Sequence, residues 1–131
     1  MTHARTIVSC TLAALFIGLS GCAKTTIRGR VIAAEIGRAI VVTETDERMD
    51  EPGIANVEVT ISQGGILGQG KTTSKGDFTF SVPDTALRSG PVLVRVEGDP
   101  VFRVQNQVQI PFPNQAILVN AVRRTPSEDQ P

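Results

Sequence analysis

Gly65-Ile-Leu-Gly-Gln-Gly70-Lys71-Thr72 satisfies the spacing G-x-x-x-x-G-K-[ST]. In that motif backbone amides cradle phosphates, the lysine neutralises them and the hydroxyl holds magnesium. The chemistry needs a strand before the loop and a helix after it, whose N-terminus holds the anion. A strand-like segment, Val57 to Ser62, does precede it, but Thr73-Ser74-Lys75-Gly76-Asp77-Phe78-Thr79-Phe80 reads on as a turn and another strand. The expectation is a flexible, glycine-rich hairpin loop with no nucleotide. A second cluster, Glu44, Asp46, Glu47, Asp50 and Glu51, offers hard oxygen ligands. Calcium loops place such ligands at alternate positions around an obligatory glycine. Arg48 and Met49 interrupt this one and Gly53 comes only after Pro52, so a solvated loop is expected, with weak calcium binding of segment 44–51 as its alternative.

Covalent catalysis needs a nucleophile beside a base, or a tuned acid/base pair. The sequence has 1 His and 2 Cys, at His3, Cys10 and Cys22, and no S-x-x-K run. That leaves no zinc quartet, no haem ligand pair and no disulfide framework. No catalytic residue, metal or cofactor is expected; a Ser/Lys or paired-carboxylate site assembled in space is the remaining enzymatic alternative. With 13 Lys+Arg against 13 Asp+Glu, there is no basic field for nucleic acid. Sugar recognition by a small β domain favours exposed aromatic platforms. There is no Trp or Tyr, and Phe78, Phe80 and Phe102 all fall on the inward phase of their segments. Phe112 is left as the one ring expected to be exposed.

The N-terminus reads as an address. Residues 1–6 carry His3 and Arg5, Ile7 to Leu19 is largely apolar, and Ser20-Gly21 follows, the layout of a signal peptide. The run falls short of the roughly 20 residues that span a bilayer core. Its end, Leu19-Ser20-Gly21-Cys22, resembles the bacterial lipobox. The resemblance implies cleavage between Gly21 and Cys22 and a diacylglyceryl group on the Cys22 thiol; an ordinary secretory signal is the alternative. The mature chain, residues 22–131, has 110 residues, with 12 Lys+Arg against 13 Asp+Glu and no histidine. Ala23 is not the aspartate that in enteric bacteria holds lipoproteins at the inner membrane, so the outer membrane is favoured.

Beyond the anchor the period is two. Ile27, Gly29, Val31 and Ala33 alternate with Arg28 and Arg30; Val57, Val59 and Ile61 with Glu58, Thr60 and Ser62; Phe78, Phe80 and Val82 with Asp77, Thr79 and Ser81. Val92, Val94 and Val96 alternate with Arg95 and Glu97, and Phe102, Val104, Val108 and Ile110 with Arg103, Gln105, Gln107 and Gln109. Each is a half-buried strand. Ala39 to Thr45 and Ala116 to Val122 are apolar on both faces in part, as central or doubly covered strands are, and Lys71 to Ser74 completes seven or eight. Turn residues fall between them at Ile36-Gly37, Pro52-Gly53, Lys75-Gly76, Gly98-Asp99-Pro100 and 111–114. Asp84 to Ser89 is at most one helical turn. Short strands at this spacing, without helices, predict an all-β, seven- to eight-stranded antiparallel sandwich, which at about 100 residues buries enough surface to stand without disulfides. The expected organisation is a leader over 1–21, a lipidated tether over 22–25, a β domain over 26–124 and a polar, proline-containing disordered tail over 125–131.

Gly29-Arg30-Val31, then Ile54-Ala55-Asn56-Val57-Glu58-Val59-Thr60-Ile61, then Lys71 to Pro83 with Gly76-Asp77-Phe78-Thr79-Phe80, and Val92 to Gly98 resemble the carboxypeptidase regulatory-like domain family over about residues 26 to 122. The resemblance implies a transthyretin-like, prealbumin-like sandwich that is an accessory module without catalytic residues, often attached to envelope proteins. Two departures bear on the edge strands. Ile36 to Glu51 is longer than the usual link and carries its own strand, and the usual G-x-Y-x-L is Gly90-Pro91-Val92-Leu93. The reading is a lipid-anchored envelope protein with a structural or protein-interaction module. Binding of a small molecule or polysaccharide is the alternative. On Phe102 to Ile110 the outer face is Arg103, Gln105, Gln107 and Gln109; these are expected to be ordinary solvated positions on a strand paired on both sides, with an unprotected edge open to a partner strand as the alternative.

Overall fold

The computed structural model describes residues 23–124; the expected leader with Gly21 and Cys22, and the expected tail 125–131, lie outside them. Branched apolar residues at every second position extend the backbone and give each segment one dry face. Eight strands result: β1 (Lys24–Ala33), β2 (Arg38–Thr43), β3 (Glu58–Ser62), β4 (Ile66–Lys71), β5 (Asp77–Pro83), β6 (Val92–Gly98), β7 (Val101–Val108) and β8 (Gln115–Ala121). Two 3₁₀ turns, Glu47–Asp50 and Asp84–Ala86, are the helical elements among the described residues. None is long and apolar enough to cross a membrane.

The strands form two sheets of four, in the orders β2-β8-β1-β5 and β4-β3-β6-β7. One core joins their inner faces, built from Ile27 and Val31 of β1, Ile117 and Val119 of β8, and Val59, Ile61, Val94 and Val96 of the other sheet. Each such side chain withdrawn from water contributes about 1.5–3 kcal/mol. Pairing is antiparallel with one exception, β1 with β8, where Gly29 faces Ile117 and Ala33 faces Ala121 in parallel. This corrects the expected wholly antiparallel sandwich. Chain direction explains it: after β7 the chain crosses to the other sheet and enters between β1 and β2 at the end where β1 begins.

β8 is covered on both faces, as its composition predicts. Its outward Leu118 joins Ile32 and Val42 in a second apolar cluster, on which Ile40 and Met49 pack. The acidic segment thus has a use: its 3₁₀ turn lays Met49 over the outer face of the first sheet.

Two expectations are corrected by local geometry. The strand is Ile66–Lys71, not Lys71 to Ser74, and 72–76 is a turn in which Gly76 adopts φ 84°. Glycines read as loop residues therefore lie in a strand. Gly68 is needed there because a Cβ would stand 2.5 Å from Cγ of Phe80, and glycine lets the ring lie against the backbone. Phe102, expected inward, is 54% exposed, whereas Val101 and Val104 are buried. Val96 pairs with Val104 and Gly98 with Val101, so β7 has one residue more than β6 over that stretch. The bulge turns both Phe102 and Arg103 outward.

Candidate functional site

The two residues expected to carry chemistry, Gly21 and Cys22, lie outside the described residues, but the chain that follows them is held firmly. Ala23 accepts a hydrogen bond from the Asp84 N–H at 3.2 Å. Lys24 and Thr25 are already in β1, opposite Pro83 and Val82, and the Thr25 hydroxyl donates to Asp84 Oδ1 at 2.7 Å. Of the expected four-residue tether, only Ala23 separates Cys22 from the first strand.

Beside this start lies a cleft of about 650 Å³ between β1, at Lys24, Thr26 and Arg28, and the loop Ile110–Pro113. Phe112 stands at its rim, 70% exposed. The loop is rigid. The Phe112 N–H donates to Gln115 Oε1 at 2.9 Å, the Gln115 N–H donates back to the Phe112 carbonyl at 2.9 Å, and prolines flank the ring on both sides. Arg28 donates from Nη2 to the Pro113 carbonyl at 3.2 Å and pairs with Glu44.

The phosphate-loop spacing is taken up by β-sheet. Residues 66–71 pair with β3, Lys71 lies opposite Glu58, and no helix follows. Thr72, at the position that would reach a metal, is buried. Its hydroxyl donates to the Ile54 carbonyl at 2.7 Å and accepts from the Val57 N–H at 3.2 Å, fastening the turn to the start of β3.

In the acidic segment Asp46 is engaged by Arg48 and Glu44 by Arg28. Arg48 donates from Nε to Asp46 Oδ1 at 3.0 Å and from Nη2 to Oδ2 at 2.9 Å, while its backbone N–H also binds Oδ1. These bonds, the guanidinium's above all, lower the Asp46 carboxyl to about 2. Among the described residues no three His, Cys, Asp or Glu stand together as a metal site. β7 lies at the edge of its sheet, which corrects the expected pairing on both sides, and its half-buried Asn106 reaches across to β2.

Of the described phenylalanines, Phe78 is buried, Phe80 packs on β4, and Phe102 and Phe112 are exposed. The two exposed rings do not form one platform, because the length of β7 separates them. Arg124 lies over one face of the Phe102 ring, its Cζ 5.3 Å from the centroid. The exposure of Phe102 was not readable from alternation, since the bulge that causes it depends on the partner strand.

Comparison with protein-family models finds no match for this chain, and comparison with curated proteins finds none either.

Proposed function

We propose that the protein is a lipid-anchored component of a bacterial cell envelope, held through diacylglycerol on Cys22 after cleavage at Gly21. Its β domain is a non-enzymatic structural or protein-interaction module related to the carboxypeptidase regulatory-like, transthyretin-like sandwiches. The observation that carries this reading is the sequence Leu19-Ser20-Gly21-Cys22, set between an apolar run too short to span a bilayer and a strand that begins at Lys24. The outer membrane is the favoured site because Ala23 is not aspartate.

Support for the family reading comes from what its signature residues do. Gly29 lies beneath the ring of Phe78, where a Cβ would collide with the ring and with the Ile117 carbonyl. Gly76 at φ 84° turns the chain into β5 against Gly53. These residues serve packing and turning, which suits a motif that marks a fold and carries no chemistry.

Metabolic labelling with a radioactive fatty acid tests the anchor. Label is expected on the wild type and absent from Cys22→Ser, which accumulates as the unprocessed precursor. A Cys22→Ser protein that matures normally and is released in soluble form overturns the proposal. Crosslinking of the lipidated protein in intact envelopes tests the interaction module by identifying a protein neighbour.

A further inference from the structure

We infer that the end of the domain where β1 begins, led by Phe112, sits in the interfacial layer of the membrane that holds the lipid on Cys22, an inference that rests on that lipidation. Covalent geometry is the first argument. Only Ala23 separates Cys22 from Lys24, so their Cα atoms are at most about 7 Å apart. Lys24 is itself a wall of the cleft rimmed by Phe112. A bilayer that holds Cys22 is therefore within reach of that loop. With Ala23 hydrogen-bonded to Asp84, little slack remains to carry the domain away.

The second argument is the way the ring is presented. An exposed phenylalanine on a loose loop turns back onto its own domain at little cost. For Phe112 two prolines and the paired hydrogen bonds with Gln115 hold the backbone, so the loop does not carry the ring back. Ile66, the first residue of β4, is 63% exposed at the same end. Between the two, the Gln63 side-chain amide donates to the carbonyls of Arg88 and Gly90 and its oxygen accepts from the Arg88 N–H. Two apolar projections are thus set on one cross-braced surface.

Charge is the third argument. Lys24 and Arg88 flank these projections and make no salt bridge among the described residues. Arg28 is balanced by Glu44, and Asp84 is bonded to Thr25. Long cationic side chains beside apolar ones match a layer of phosphates over acyl chains, in which they extend to the headgroups while the apolar groups sink about 5–10 Å. Phe102 is the counterexample within the molecule: equally aromatic and also exposed, it lies at the far end, with Arg124 over one face of its ring.

The absence of tryptophan permits a single-reporter test. Full-length, lipidated Phe112→Trp and Phe102→Trp proteins are reconstituted in phospholipid vesicles with plain or brominated acyl chains. Trp at 112 is expected to emit at shorter wavelength than Trp at 102 and to be quenched by bromine, and Trp at 102 to emit as in water and be indifferent to bromine. Ile66→Trp gives a second reading from the same end should the Phe112 variant melt early. Water-like, unquenched emission from positions 112 and 66, with lipid shown on Cys22 by mass spectrometry, overturns the inference and leaves the anchor standing. Cys22 without lipid removes both.

Discussion

The carboxamide of Asn106 closes a ring with the peptide of Ala39: its oxygen accepts the Ala39 N–H at 2.9 Å and its nitrogen donates to the Ala39 carbonyl at 2.8 Å. β2 and β7 are the edges of different sheets, so one side chain takes the place of a strand partner and stitches the sandwich shut along that side. The edge is further shortened by the bulge at Phe102 and by the hydrogen bond from the Phe102 N–H to the Val122 carbonyl at 2.9 Å. Bulges and coverage are common ways of protecting a sheet edge from association.

Asn106→Leu keeps the size and removes both bonds, leaving a part-buried donor and acceptor unpaired. A loss of about 1–3 kcal/mol is expected in denaturant melts, with a rise in self-association seen by light scattering. A variant as stable and as monodisperse as wild type would show that the stitch carries neither role.

The phase of β3 is tested by neighbouring residues. Val59 is 0% exposed, whereas Glu58 faces outward and accepts from Gln69 Nε2 at 3.2 Å. Val59→Asp buries an unpaired charge and should lower stability by about 4 kcal/mol. Glu58→Lys should stay within about 0.5 kcal/mol. Equal shifts in the denaturation midpoint would contradict the register.

Gly68 and Phe80 form the corresponding closure on the other side of the sandwich, between β4 and β5. Gly68→Ala forces a Cβ into the ring and should cost about 1–3 kcal/mol. In the Phe80→Leu background the same change should cost less, because the collision is relieved. Additive effects in the double-mutant cycle would place the strain elsewhere.

Asp46 should titrate near 2 when its chemical shift is followed by NMR, and Arg48→Ala should bring it back towards 3.8. A carboxyl depressed in the folded state stabilises the fold fully above its unfolded value and loses that contribution as pH falls through about 2. The turn that presents Met49 should accordingly loosen between about pH 4 and 2, reported by the Met49 methyl resonance. An Asp46 midpoint unchanged by Arg48→Ala would rule out the guanidinium as the cause.

The resemblance of Leu19-Ser20-Gly21-Cys22 to a lipobox is legible without a fold because such a pattern is linear, whereas the presentation of Phe112 was only half legible. Its exposure was expected from its place in the turn 111–114, between prolines and outside the strands, but the bracing of its backbone depends on Gln115 folding back. The phosphate-loop spacing shows the reverse case, in which a linear match is overruled by pairing. Val59 opposite Gly70 and Ile61 opposite Gly68 make a strand of residues that alone have the composition of a loop.

Alternation determined the all-β class and the inward faces of β3, β5 and β6, because a pleated backbone sends successive side chains to opposite sides whatever lies beyond them. The double burial of β8 was likewise present in its unbroken apolar run. Tertiary structure alone decided the parallel neighbour of β1, the outward turn of Phe102, the burial of Thr60 at 5% exposure beneath Gln69 and the Asn106 stitch. Each of these depends on which strand lies alongside and on how many residues it contributes. That is a property of contacts between distant segments, on which the local period is silent.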